Sequence, residues 1–229
     1  MTGELGPSEP QPRERPLGPL AEDFLRAILR GSQSAAEGVV TRAIADGLDG
    51  PAIYLSVFQP ALERVGDLWQ MGQIRVGDEH LATDVTRWMM AALLDDFRPR
   101  LVRNGGRVIL AGYAPGEQHL LGLLMVVRFL RRDGWFMHNL GGDLPAEEFG
   151  IVAVKFRPAL CLISAASLER IEAVARTTLA LREAGVEAPV LVGGAIFRQD
   201  PSLVAKVGAA GTAPDAAAAV ASVSALLGG

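Results

Sequence analysis

The chain has 229 residues, with 49% hydrophobic and 21% charged residues and a net charge of −4. That length holds one large or two modest domains. The acid excess argues against a phosphate-neutralising surface, and no helix-turn-helix or zinc-finger pattern offsets it, so direct nucleic-acid binding is not expected. The one cysteine, Cys161, excludes an internal disulfide and a Cys-rich metal site. It lies in the apolar run Ala159-Leu160-Cys161-Leu162-Ile163 and reads as a small buried hydrophobe. The N-terminal stretch lacks the apolar core of a signal peptide, and no apolar run reaches the roughly 20 residues of a membrane span. A cytoplasmic protein without membrane contact is expected.

Residues 1–18 are rich in Pro, Glu, Arg and Gly and are expected to form a disordered arm. Helical periodicity then runs over 19–98. Leu20, Phe24, Ile28 and Leu29 share one face. Val39, Val40, Ala43 and Ile44 form a second stripe, with Ser34 as its expected N-cap. A third helix is predicted from Pro51 to Met71, and a fourth from Gly77 to Phe97, stopping before Arg98-Pro99. Trp88, Met89 and Met90 read as core packing on that fourth helix. Together these make a four-helix bundle.

From about residue 105 to 229 the pattern alternates. Strands are predicted at Val108–Ala111, Phe136–Leu140, Leu160–Ser164, Pro189–Val192 and near Gly208-Ala209. Helices are predicted at Leu120–Arg132, after the GGDLP loop to Phe156, at Leu168–Ala184, and from Ala213 to Leu227. Continuous apolar strands separated by helices define a doubly wound, Rossmann-like parallel sheet. The fold class is thus α/β, a helical bundle followed by this sheet domain.

Ligands of such sheets bind beyond the carboxyl ends of the strands. The loops there are YAPGEQH, LGGDLP, SAASL and GGAIFRQ, which collect Glu117, His119, Asp143, Ser164, Ser167, Gly193 and Gly194 at one mouth. Glu117 lies two residues before His119. A carboxylate on one imidazole nitrogen fixes the tautomer and raises the basicity of the other, the usual outer partner of a metal-binding histidine. There is no His-x-x-x-His and no Cys pair, so a zinc site is not expected. One histidine on a metal suggests that a macrocycle supplies the other ligands. His138, within Phe136–Leu140, is given no ligand role.

The segment Glu117-x-His119-x-x-Gly122 resembles the D-x-H-x-x-G signature of cobalamin-binding domains. In that family a Ser-x-Leu follows after about 41 residues and a Gly-Gly about 26–28 residues later. Here 41 residues separate Gly122 from Ser164, and 26 separate Ala166 from Gly193. Two departures stand out: Glu117 in place of Asp, and Ala166 in place of Leu. The resemblance covers about 105–229 and implies His119 as the lower cobalt ligand. It also implies that the nucleotide tail enters beside Gly122, Ser164 and Gly193-Gly194, with Asp143 ordering a loop at the corrin edge.

Trp69 precedes Glu79-His80 with nine residues between them. This resembles the W-x9-E-H motif of the cobalamin-dependent photoreceptors that repress carotenoid genes, the CarH/LitR type. The resemblance implies that the bundle caps the upper corrin face, with Trp69 over the 5′-deoxyadenosyl group of adenosylcobalamin and Glu79 holding it. It also implies His80 as an upper cobalt ligand once light breaks the carbon–cobalt bond. Those photoreceptors usually carry an N-terminal DNA-binding domain, for which 18 residues are too few. A non-enzymatic light sensor is therefore expected, signalling by conformational or oligomeric change, as a homo-oligomer or to a transcription factor or signalling protein. A second chromophore, a bilin or haem, has no motif, and Cys161 is poorly placed for bilin attachment. The alternative is a methyl-carrying corrinoid protein of a methyltransferase system. A mutase subunit would need a substrate barrel.

Overall fold

The computed structural model describes residues 16–99 and 106–228. Most of the predicted arm, residues 1–15, and the linker around Asn104-Gly105 lie outside the described residues. The chain divides into two compact units at Met90/Ala91.

The first unit is helical. It contains α1 (Pro19–Leu29), α2 (Gln33–Ala45), α3 (Gly50–Ile53), a π-helical turn (Tyr54–Phe58), α4 (Gln59–Gln70) and most of α5 (Val76–Ala92). Its core includes Phe24, Ile28, Ile53, Tyr54, Phe58, Met89 and Met90, all within 2% of complete burial. Ser32, not Ser34, caps α2, its hydroxyl accepting the Ala35 N–H at 3.3 Å. The predicted third helix is broken into α3 and α4 by the π-turn. Pro60 supplies no N–H and its ring crowds the carbonyl four residues back, so the ladder widens there, with Gln59 N–H donating to the Tyr54 carbonyl. The fourth helix stops at Ala92, and Leu94–Phe97 form a separate 3-10 turn. Asp95 and Asp96 disfavour a helix C-terminus, and Arg98 is extended ahead of Pro99.

Two outward residues correct the predicted stripes. Ile44 is 51% exposed and Trp88 is 62% exposed. On α5 the buried positions are Ala82, Val85, Thr86, Met89 and Met90. Helical spacing then puts Trp88 on the opposite stripe with Leu81, outside the core.

The second unit is a five-stranded parallel sheet in the order β2-β1-β3-β4-β5. The strands are β1 (Val108–Tyr113), β2 (Phe136–Asn139), β3 (Leu160–Ser164), β4 (Val190–Gly193) and β5 (Gly211–Thr212). Between them lie α6 (Leu121–Arg132), α7 (Ala146–Phe156), α8 (Ile171–Glu183), α9 (Ala195–Gln199), α10 (Leu203–Lys206) and the closing α11 (Ala216–Leu227). Leu123, Val127 and Leu130 of α6 and Val223 of α11 cover one face with Ile109, Ala111 and Leu162. Phe149 and Ala153 of α7 and Val174 and Leu181 of α8 cover the other with Leu110, Cys161 and Ile163. Cys161 is fully buried, and burial pushes its thiol up to about 12.

Three segments differ from expectation. β5 lies three residues later than predicted, because Gly208 adopts a left-handed φ of 70° that ends α10. The expected loop after Gly194 holds α9, with Ile196 and Phe197 buried. The last helix begins at Ala216, capped by Asp215 on the Ala218 N–H at 2.7 Å.

Candidate functional site

The sheet reverses direction of growth between β1 and β3, where strand order places β1 beside both β2 and β3. Neighbouring crossovers leave to opposite faces there, which opens a crevice at the carboxyl ends. Tyr113 and Ser164 sit in register across it, and Ala114 N–H donates to the Ser164 carbonyl at 2.9 Å.

The loop that follows β1 is organised around the Glu117 carboxylate, whose side chain is 2% exposed. Its Oε1 accepts from the backbone N–H of Gln118 and of His119, each at 2.8 Å, and pairs with His119 Nδ1 at 2.6 Å. Its Oε2 accepts the Ala166 N–H of the β3 loop at 2.7 Å. Burial alone would raise this carboxyl. The hydrogen bonds from His119 and Ala166 outweigh burial and hold it below the usual carboxylate range. The ionised Glu117 favours Nδ1–H, which leaves the lone pair on Nε2. The His119 side chain is 59% exposed, so a metal ion can reach the ring.

Tyr113, which sequence reasoning did not single out, steadies the same loop. Its hydroxyl donates to the Leu120 carbonyl at 2.7 Å, and burial pushes its pKa up to about 12. A hydroxyl-bearing aromatic at the end of an apolar strand was the available signal. Asp143, at a left-handed φ of 55°, accepts the Gly116 N–H at 2.9 Å and so ties the β2 loop to the β1 loop. Arg170 also escaped notice: a Cβ on Gly116 would fall 2.6 Å from its Nη1.

The remaining candidates line the strand ends. Ser164 is buried at the end of β3, and Ser167 opens the 3-10 turn Leu168–Arg170. Gly193 closes β4, its carbonyl accepting the Ala165 N–H at 2.9 Å. Gly194 has φ 111°, and a Cβ there would lie 2.0 Å from the Ala165 carbonyl oxygen. Only glycine permits that approach. Gly122 and Gly193 differ: a Cβ on either would meet nothing within 4 Å.

Trp69, Glu79 and His80 belong to the helical unit. Trp69, near the end of α4, is 48% exposed. Asp78 starts α5 by reaching back to the Arg75 N–H at 2.8 Å. Glu79 accepts from the Thr83 hydroxyl at 2.9 Å and lies 3.5 Å from His80 Nε2; the His80 side chain is 68% exposed. His138 is exposed on β2, its ring centroid 4.5 Å from that of Phe156.

These residues suit a corrinoid. Among the described residues no three His, Cys, Asp or Glu side chains cluster as a metal site, so a metal at His119 needs ligands from elsewhere. Gly122 and Gly193 leave open space where side chains would project. On β5, paired with β4 beside Gly193, the Thr212 hydroxyl is buried without a hydrogen-bond partner. A buried polar group of that kind suits a polar ligand.

The fold and this donor set define a cobalamin-binding protein. Family models for the B12 binding domain match residues 20–94 and 107–221, and the chain belongs to the B12-binding family. It is 30% identical over 184 residues to the HTH-type transcriptional repressor CarH of Myxococcus xanthus, covering 79% of this chain and 60% of the relative. It is 31% identical to the repressor CarA of the same organism, covering 86% and 66%. The chain thus spans three-fifths to two-thirds of the length of these relatives. Trimethylamine corrinoid protein 1 of Methanosarcina acetivorans is 25% identical, with 76% and 82% covered. Among solved structures, the monomethylamine corrinoid protein of Methanosarcina barkeri superposes with a TM-score of 0.78 at 19% identity, over 89% of this chain and 96% of that one. That likeness establishes the shared fold. No helix among the described residues is long and apolar enough to cross a membrane.

Proposed function

We propose that this protein is a light sensor that uses adenosylcobalamin as chromophore and signals to a protein partner through a change in conformation or self-association. The cofactor supplies a carbon–cobalt bond that light can break. The observation carrying this reading is the pair Glu79-His80, separated by nine residues from Trp69, in a helical unit that precedes the cobalamin domain. The CarH and CarA repressors support it as relatives at 30% and 31% identity.

Each residue then has a stated task. His119 Nε2 would hold cobalt, with Glu117 fixing the tautomer and orientation of the ring. Gly122, Ser164, Gly193 and Gly194 line the path of the nucleotide tail. Asp143 and Ser167 set the loops at its rim. Trp69 and Glu79 would attend the adenosyl group, and His80 would be available to hold cobalt after light.

A second reading, a methyl-carrying corrinoid protein, is favoured by the likeness to methylamine corrinoid proteins, one of which matches across 96% of its own length. The two readings part at His80. The adenosylcobalamin-loaded protein is illuminated with green light and its absorption spectrum compared with that of free illuminated cofactor. The sensor reading expects a distinct product spectrum in the wild type that His80→Ala reverts to the free-cofactor form, together with a change in sedimentation. Identical spectra for wild type and His80→Ala, with no change in sedimentation, would overturn it.

A further inference from the structure

The inner face of α7 is fully used: Ala146, Phe149, Gly150 and Ala153 are buried against the sheet and α8. Its outer face is unusual for a surface helix. Ile151 is 60% exposed and Val154 is 50% exposed, one turn apart on one stripe. Glu147 and Glu148 occupy the first turn, and Lys155 the last. Neither glutamate has an ion-pair partner among the described residues.

This face is complementary to itself. Ile151 lies midway between Glu147 and Lys155 in the sequence. Two copies of α7 packed antiparallel, with Ile151 on the twofold axis, set the acidic first turn of each against the Lys155 end of the other. Glu148 and Lys155 flank the stripe on the same side, so a twofold brings each to the other across the contact. The apolar pair Ile151 and Val154 then closes the centre, and the opposed helix dipoles add in the same sense. No pairing with a parallel copy gives this match, since it sets acid against acid.

We propose that α7 is a homodimerisation surface, with a second copy of this chain bound antiparallel about Ile151. A single helix pair lies at the small end of specific interfaces, so the dimer is expected in the micromolar range. It does not depend on the reading of the cofactor. Sedimentation equilibrium of the full chain should show a monomer–dimer equilibrium. Ile151→Glu should weaken it by roughly ten-fold or more, as removal of a central apolar anchor does. The double variant E147K/E148K should weaken it several-fold, and adding K155E should restore it. As a check that needs no loss of association, Ile151→Cys should form an intermolecular disulfide on mild oxidation. Leu179→Cys, equally solvent-accessible on α8 at 56% exposure for the native leucine, should cross-link far more slowly. A chain monomeric at all soluble concentrations would overturn the proposal. So would a dimer indifferent to Ile151→Glu, or cross-linking at 179 in preference to 151.

Discussion

The molecule holds two Glu–His pairs, and they are built differently. Glu117 is buried and takes four hydrogen bonds from three residues of two loops, His119 Nδ1 at 2.6 Å among them. Glu79 lies 3.5 Å from His80, its neighbour in α5, where the His80 side chain is 68% exposed and the Thr83 hydroxyl donates to Glu79. The first pair is set in place by the fold before any ligand arrives. The second is left able to rearrange. One fixed pair beside one movable pair suits the proposed sensor, since a switch requires one element whose position the signal can change.

The largest expected effect comes from the frame beneath the first pair. Gly194→Ala drives a Cβ to 2.0 Å from the Ala165 carbonyl, next to the N–H that holds Glu117. It should destabilise the sheet unit by about 3 kcal/mol or more, measured by chemical denaturation. Unchanged stability would mean that the β3 and β4 ends are not locked as described.

Next is the carboxylate. Glu117→Gln keeps the shape but turns an N–H₂ toward donors, and should lower cobalamin affinity about 10- to 100-fold by spectroscopic titration. The matching change, Glu79→Gln, should alter affinity by no more than about three-fold. Equal effects would erase the distinction between the pairs.

The pH dependence follows the same line. The Glu117 pKa is lowered in the folded protein, so its contribution to stability is present above the unfolded value, about 4.3. It is lost as pH falls through the lower folded value. The wild type should therefore lose stability on acidification below the ordinary carboxylate range, and Glu117→Gln should lose less over that window.

The smallest effect is expected at Thr83→Val, which removes the hydroxyl on Glu79. Folding stability should change by about 1 kcal/mol or less, with the consequence confined to the yield of the light-induced spectral change.

Much of this was legible in the sequence because periodicity and spacing are local. The alternation of apolar strands and helices marks the sheet, and the resemblance to cobalamin-binding domains singles out Glu117, His119, Gly122, Ser164 and Gly193 as candidates. What escaped is either an adjustment inside one helix or a contact between distant segments. The π-turn arises where Pro60 meets a helix that continues through it. Trp88 looked like core until the buried stripe of α5 fixed its angle. The Ala166 N–H that completes the Glu117 site is a backbone group, which no side-chain pattern announces. The same holds for the Arg170 guanidinium over Gly116, brought there by the fold alone.

The claim on which the rest stands is that His119 ligates cobalt. It is tested most directly by electron paramagnetic resonance of the protein loaded with cob(II)alamin, in a His80→Ala background, with and without nitrogen-15 histidine. Coordination by His119 predicts that labelling converts the triplet superhyperfine splitting of the axial nitrogen into a doublet. A triplet that survives labelling would place the cofactor's own base on cobalt and contradict the assignment.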